Sequence, residues 1–224
     1  ALFLAGSVLV DDPQIKKVGV RVLTTAAVRL RDLPSRFVSR GGDKIDPVFE
    51  RFGIVVEGRV AIDVGASTGG FTDCLLQRGA IKVFAVDVGH NQLAHKIRQD
   101  SRVEVFEGLH ARDLSSINFS PRPSLAVIDV SFIGLRKILG AVISVLARPF
   151  VVIALVKPQF ELEPNFVGKG GVVREAEHQQ LAVSLVEKFV IEDLGLQVKG
   201  QMPSPLKGEK SGNQEFFLVF TVVD

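Results

Sequence analysis

The stretch AIDVGASTGGFTDCLL, residues 61–76, closes an apolar run on an acid, Asp63, and continues into a loop of glycines and small hydroxyl residues. Gly65, Gly69 and Gly70 permit a tight turn and a close approach of backbone to a ligand. Free amides at the start of a following helix favour a negative group there. Three occupants compete for such a loop. A phosphate would call for Gly-Lys-Ser/Thr, and the loop has no lysine. The dinucleotide fingerprint G-x-G-x-x-G fails because Ser67 stands at its second glycine. Gly65-Ala66-Ser67-Thr68-Gly69 does match the G-x-S-x-G nucleophile elbow, with His178 downstream. An elbow of that kind follows later strands, however, and His178 opens a helix far along the chain.

The remaining occupant carries a carboxylate and an ammonium. Loop amides with the Ser67 and Thr68 hydroxyls suit the first, and acids such as Asp63 suit the second. Asp87 ends the next apolar run, FAVD, where an acid accepts both hydroxyls of a ribose. An amino acid joined to a nucleoside is S-adenosylmethionine. The expected cofactor-binding set is Asp63, Gly65, Ser67, Thr68, Gly69, Gly70, Phe71, Asp87 and Asp129.

Four further charged residues fall at or beside the ends of apolar runs. Asp129 follows LAVI, Lys157 follows VVIALV, Glu215 precedes FFLVF, and Lys44 lies just after Arg40-Gly41-Gly42. A lysine placed directly after buried residues is costly unless paired. A lysine–acid cluster can lower one lysine's pKa and supply a general base. Structural ion pairing is the alternative reading.

These residues need elements to hold them. The apolar patterning predicts helices over 43–52, 70–78, 91–100, 135–147 and 175–194. It predicts strands over 59–64, 82–88, 102–106, 125–130, 150–156, 196–202 and 215–223, with a polar loop over 203–214. Alternating apolar strands and amphipathic helices mean a mainly parallel sheet covered on both faces. The last two strands have no helix between them and are expected to pair antiparallel. Before this core, 7–10, 19–23 and 27–30 read as short strands, with a turn at 11–13 and a linker near Leu33-Pro34-Ser35.

With these segments placed, the chain resembles the FtsJ-like RNA ribose methyltransferases, and among them the hemolysin A (TlyA) group. The resemblance is carried by VSRGGDK (38–44), DVGASTGGFTDCLLQRGA (63–80), VDVG (86–89), DVSF (129–132), LVKPQFE (155–161) and VGKGGVVR (167–174). It implies a Rossmann-like, S-adenosylmethionine-dependent methyltransferase fold, an α/β seven-stranded mainly parallel sheet with a C-terminal antiparallel strand. It also implies methyl transfer to a ribose 2′-hydroxyl of ribosomal RNA. The family's catalytic Lys-Asp-Lys-Glu set then falls on Lys44, Asp129, Lys157 and Glu215, with Lys157 deprotonating or orienting the hydroxyl. Residues 1–33 resemble the tail of a small RNA-binding module of the ribosomal-protein type. Residues 34–42 are then the linker and 43–224 the methyltransferase domain. Because the chain starts mid-pattern without Met, that module is expected to be truncated. Asp11-Asp12 stands where the family has Asn-Gly, and Leu109-His110 where it has Thr-Asn near the adenine. Asp113 is expected to cap a helix.

Ribosomal RNA or ribosomal subunits are the expected partners, and Arg36, Arg40, Lys169 and Arg174 the expected phosphate contacts. Residues 1–44 carry eight Lys/Arg against four Asp/Glu, a net +4, while the rest carries 19 against 21. A basic N-terminal end fits a polyanion partner. With no Trp or Tyr, base stacking would fall to Phe or arginine planes. Phe150 to Val156 is the longest apolar run, well short of the roughly 20 residues of a membrane span. The single cysteine, Cys74, excludes an internal disulfide and is expected on the inner face of a helix. It fits a reducing, cytoplasmic setting. Four scattered histidines give no metal-ligand spacing, so no metal is expected. The competing readings are a membrane-acting cytolysin, as the group's name implies, and a catalytically silent RNA-binding protein. Oligomeric state is not legible.

Overall fold

The computed structural model describes residues 8–11, 14–15, 19–30, 35–208 and 211–222. The chain divides into two compact units, Ala1–Arg36 and Phe37–Asp224. In the smaller unit, β1 (Val8–Val10) pairs antiparallel with β2 (Gln14–Ile15) and with β3 (Val28–Leu30). Asp11 takes a left-handed backbone at φ 51° and ties the two arms together. Its carboxylate accepts the Ala27 N–H at 2.9 Å, and its own N–H reaches the Ala27 carbonyl at 3.1 Å. Asp tolerates that conformation as Asn does. The strand expected over 19–23 is absent, since those residues run as an exposed turn and coil, and β2 takes its place in the sheet. Ser7, Asp12-Pro13 and the linker residues Leu33-Pro34 lie outside the described residues.

The larger unit follows the expected alternation. Its elements are α1 (Arg40–Arg51), β4 (Val60–Val64), α2 (Gly70–Gln77), β5 (Lys82–Asp87), α3 (His95–Arg98), β6 (Val103–Glu107), β7 (Leu125–Ile128), α4 (Leu139–Ser144), β8 (Val151–Val156), α5 (Pro158–Glu161), α6 (Ala176–Lys188), β9 (Gln197–Pro203) and β10 (Phe216–Thr221). The seven strands stand in the order β6-β5-β4-β7-β8-β10-β9. Neighbours from β6 to β8 are parallel, and β10 runs antiparallel to both β8 and β9. Alternation sorts the side chains. Ile62, Val64, Phe84, Val86, Ala126 and Ile128 face α4 and α6. Ala61, Val83, Ala85, Leu125 and Val127 face α1, α2 and α3. Each such aliphatic or Phe side chain contributes about 1.5–3 kcal/mol when fully buried.

Some boundaries differ from expectation, each for a local reason. Arg40, Gly41 and Gly42, read as the end of the linker, form the first turn of α1. Gly42 is needed there because a Cβ would fall 2.1 Å from the Phe37 ring. The helix expected over 91–100 shrinks to four residues, because Asn91 adopts φ 56° and breaks the turn before it. Residues 135–147 split into a 3-10 turn, Leu135–Lys137, and α4. The short helix α5 was not anticipated. Pro158 starts it directly after Lys157, where a missing N–H costs nothing.

The order of the strands reverses between β4 and β7, so a crevice opens beyond their carboxyl ends. The seam is tight. Gly65 has φ 89°, and a Cβ on it would lie 2.3 Å from the Asp129 carbonyl oxygen. Across the crevice α1 crosses α2 at equally close range. A Cβ on Gly70 would meet Ser39 Oγ at 2.3 Å and the Gly42 nitrogen at 2.9 Å. Gly70→Ala is therefore expected to lower stability by about 1–3 kcal/mol through overpacking. Gly140→Ala is the control, since its Cβ would meet nothing within 4 Å on α4. That change should stabilise by roughly 0.5–1 kcal/mol. Urea titrations of both variants check the opposite signs.

Candidate active site

The glycine loop is fixed from β5. The Gly65 and Ala66 N–H groups both donate to the Val86 carbonyl, at 2.8 and 3.0 Å. Asp87 holds the loop's outer arm. Its Oδ2 accepts the Ser67 N–H at 2.7 Å and its Oδ1 accepts the Gly89 N–H at 2.7 Å. Ser67 sits at φ 48° and donates its hydroxyl to Gln92 at 3.2 Å. A carboxylate has about four lone-pair sites, so Asp87 can still accept two donors from a ligand.

Two lobes of one cleft, of about 400 and 420 Å³, share Gly65, Ser67 and Asp129 as a common wall. One lobe is closed by Ser39, Arg40, Lys44, Thr68, Phe71 and Lys207. The other runs past Asp87 and Val88 to Leu109, His110, Phe132 and Ile133. Gly70 also lines the first lobe. Gly69 does not line either, and its φ of 94° instead lets the backbone pass close to Leu93 and Ile97. Asp63 is also absent from the wall. It is fully buried, with Thr72 Oγ1 donating to its Oδ2 at 2.6 Å and its Oδ1 without a hydrogen bond. Burial pushes its carboxyl up to about 7, Thr72 pulling the other way. Direct contact between Asp63 and a ligand, as expected from the sequence, does not fit this placement. Asp63 instead braces the start of α2 from behind.

Lys44, Asp129, Lys157 and Glu215 come together as two ion pairs. Lys157 Nζ lies 2.6 Å from Asp129 Oδ1 and donates to Ser131 Oγ at 3.0 Å. Lys44 Nζ lies 2.6 Å from Glu215 Oε2. Three structural facts assemble them. Asp129 follows β7, whose register with β4 sets it level with Gly65. Lys157 follows β8. Glu215 precedes β10, and the antiparallel pairing of Phe216 with Val156 brings it beside Lys157. Lys44 is delivered by α1, whose entry is tied down where Asp73 Oδ2 accepts the Val38 N–H at 2.8 Å. Lys157 and Glu215 are buried, so water screens the pairs weakly. The set can orient a hydroxyl and receive its proton.

The expected phosphate contacts scatter. Arg40 lines the first lobe. Lys169 and Arg174 are exposed on the loop near the Gly168–Val172 bridge, outside both lobes. Arg36 is exposed in the smaller unit. Asp113 is not the expected cap: His110 fills that position, its Nδ1 accepting the Arg112 N–H at 3.1 Å. Among the described residues no cluster of His, Cys, Asp or Glu could hold a metal, and Cys74 is buried on α2 as expected. Sequence reasoning missed Ser39, Ser131, Phe132 and Lys207. Ser131 and Phe132 follow Asp129 directly, so adjacency was an available signal. For Lys207, in a polar loop, there was none.

A family model described as FtsJ-like methyltransferase matches residues 37–222. "Hemolysin A" of Brachyspira hyodysenteriae is 40% identical over 230 residues, covering 99% of this chain and 91% of that protein. "16S/23S rRNA (cytidine-2'-O)-methyltransferase TlyA" of Mycobacterium tuberculosis is 42% identical over 215 residues, covering 96% of this chain and 80% of that one. A solved structure from Streptococcus thermophilus, provisionally named a hemolysin, superposes with a TM-score of 0.84 at 41% identity, over 99% of this chain and 81% of that chain.

The raised pKa of Asp63 gives a stability signature. The unfolded carboxyl ionises near 3.8 and the folded one near 7, so the folded state binds the extra proton between those values. Stability from this group is full below about pH 4 and is lost as pH rises through 7, a fall of the order of a few kcal/mol. Asp63→Asn should flatten that decline, as read from urea midpoints measured between pH 4.5 and 7.5.

Proposed function

Because the chain belongs to the FtsJ-like methyltransferase family, we propose that its cleft transfers a methyl group from S-adenosylmethionine to a ribose 2′-hydroxyl of ribosomal RNA. The observation that carries this reading is the Lys157–Asp129 pair of 2.6 Å, whose Asp129 stands on the wall that the two lobes share, with Lys157 buried directly behind it. The residues present fit the cofactor. The loop between Gly65 and Gly70 offers backbone amides and hydroxyls for a carboxylate. Asp87 keeps two acceptor sites for ribose hydroxyls, and Leu109 and His110 form an apolar slot for an adenine. S-adenosylmethionine supplies an electrophilic methyl group on a sulfonium.

The chain's own part is alignment and proton handling. Lys157, set by Asp129 and Ser131, would orient the acceptor hydroxyl; its ammonium would pass a proton to Asp129, and the amine so formed would take the hydroxyl proton as the oxygen bonds to carbon and the carbon–sulfur bond breaks. Holding oxygen, carbon and sulfur in line is worth much of the rate. Lys44 and Glu215 fix the ribose from the first lobe. Arg40 and Lys207 offer charge to the flanking phosphates, with Lys169 and Arg174 further out. Phe132, 90% exposed at φ 66° with its ring 5.4 Å from Phe160, gives a base a face to stack on. The acceptor extended to this chain is the one that the Mycobacterium tuberculosis relative is named for, a cytidine ribose in ribosomal RNA. The ribosome as partner would place the protein in the cytoplasm.

The hemolysin name of a relative gives a membrane reading, and among the described residues no helix is long and apolar enough to cross a membrane. A silent RNA binder would have no use for two intact ion pairs at the cleft, each with one buried member.

Lys157→Ala should lower methyl transfer at least about a thousandfold, the scale of lost proton transfer combined with misalignment. Cofactor affinity should stay within a few-fold. Tritiated-methyl incorporation into ribosomal subunits, with calorimetry for the cofactor, checks both. Retained turnover would remove Lys157 from its role. Asp87→Ala should do the reverse and weaken cofactor binding by about tenfold or more, the scale of two lost charge-assisted hydrogen bonds.

A further inference from the structure

Asn213 is buried, 2% exposed, in the polar loop over 203–214, and has no part in the reaction as described. Its side chain reaches across 40 residues of sequence to the glycine-rich loop. Oδ1 accepts the Val173 N–H at 2.9 Å, and Nδ2 donates to the Gly171 carbonyl at 2.8 Å. One backbone donor and one backbone acceptor fix the orientation of the amide, and no other residue of that length supplies both. On its own side Asn213 closes a turn, its carbonyl accepting the Gly208 N–H at 2.9 Å. That turn wraps Glu215. The Ser204 N–H donates to the Glu215 carbonyl at 2.8 Å, and a Cβ on Gly208 would lie 2.9 Å from Glu215 Oε1.

We propose that Asn213 is a positioning residue that joins the Gly168–Val173 loop and the Lys44–Glu215 pair into one rigid support for the RNA strand beside the target ribose. The inference rests on the methyltransferase reading given above. The loop needs such a pin. Gly170 and Gly171 both have left-handed backbones, at φ 78° and 76°, and a Cβ on either would meet nothing within 4 Å. Glycines in open space do not hold a loop in one pose. Besides Asn213, the loop's hold on the body is the buried Val173 side chain and the Gln179 amide on the Val173 carbonyl at 2.8 Å. Of these holds, Asn213 is the one that ties the loop bearing Lys169 to the segment carrying Glu215, two residues away. Lys207, which directly precedes the turn that Asn213 closes, brings a second cation to the same support.

Asn213→Ala and Asn213→Asp test this in the full chain. Asp keeps the acceptor for Val173 and loses the donor to Gly171. In Asn213→Ala, amide hydrogen exchange should quicken by at least about tenfold at Val173 and also at Ser204 and Gly208, a shared local opening. The efficiency of methyl transfer to ribosomal subunits should fall about 100-fold, the scale of a misplacement near 1 Å. Asn213→Asp, which buries a charge against the Gly171 carbonyl, should fall at least as far as Asn213→Ala, and cofactor affinity should stay within twofold in both. Lys169→Ala should weaken transfer in the wild type and add little in the Asn213→Ala background. Faster exchange confined to Val173, fully multiplicative effects of the two substitutions, or cofactor affinity falling in step with transfer would each overturn the inference. If the wild type methylates no ribosomal RNA, the functional reading fails, and exchange at Val173, Ser204 and Gly208 still decides whether Asn213 couples the two segments.

Discussion

A lysine at the buried end of a strand is tenable only with a carboxylate at hand. Lys157 follows β8, every residue of which except the first is buried, and Asp129 stands 2.6 Å from its ammonium. Removing either partner would strand a charge where water screens it poorly, at a cost of about 3–5 kcal/mol. The rest of the cleft is arranged around keeping that pair together. β8 runs two residues past the end of parallel β7, and the long Lys157 side chain meets Asp129 there. The strand order reverses beside them, so the pair faces an open crevice rather than a covering helix. Antiparallel β10 then brings Glu215 to the same edge, where it engages Lys44.

Glycines set how near these pieces can come. Gly65 lets the loop pass the Asp129 carbonyl at a distance that no side chain would permit, which makes that residue a wall of both lobes. Gly70 lets α2 lie against the first turn of α1, Gly42 makes room there for the Phe37 ring, and α1 carries Lys44 over the cleft. Asp63 and Asp73 brace this arrangement from behind. One holds Thr72 in α2, and the other holds Val38 at the approach to α1. Asp63 looks like a ligand group on the sequence, and both acids act as struts in the fold.

The two lobes divide the chemistry. Asp87 is half committed to the loop and half open to a ligand, which fits a group that must shape a site and also bind in it. The first lobe gathers Lys44 with Arg40 and Lys207, and a cation-lined cleft suits the sugar–phosphate backbone of RNA. Phe132 stands out at the rim with a left-handed backbone that a bulky residue adopts only under constraint. The Glu161 carboxylate accepts the Leu135 N–H at 2.6 Å and so anchors the loop that carries it.

The strand and helix alternation, the sheet covered on both faces, the glycine turn at its opening and the four charged residues at strand ends were all legible in the sequence. They depend on local periodicity and on the cost of charge beside apolar runs, and both act within a few residues. The position of Glu215 beside Lys157 was legible only through the family resemblance, because it depends on the register of strands 60 residues apart. The short helix α5 escaped, because four residues make no periodic pattern, and α3 was read too long. The direction of Asp63 escaped for a different reason. A strand residue points to one face or the other by parity, but whether that face meets ligand or the hydroxyl of Thr72 depends on where α2 packs. Likewise Lys207 and Asn213 lie in a polar loop without pattern, and only the closed turn around Glu215 gives them a place. The sequence by itself determined which residues carry charge and where backbone must bend. The tertiary structure decided which of those charges meet, because pairing follows from strand register and helix contact rather than from neighbours along the chain.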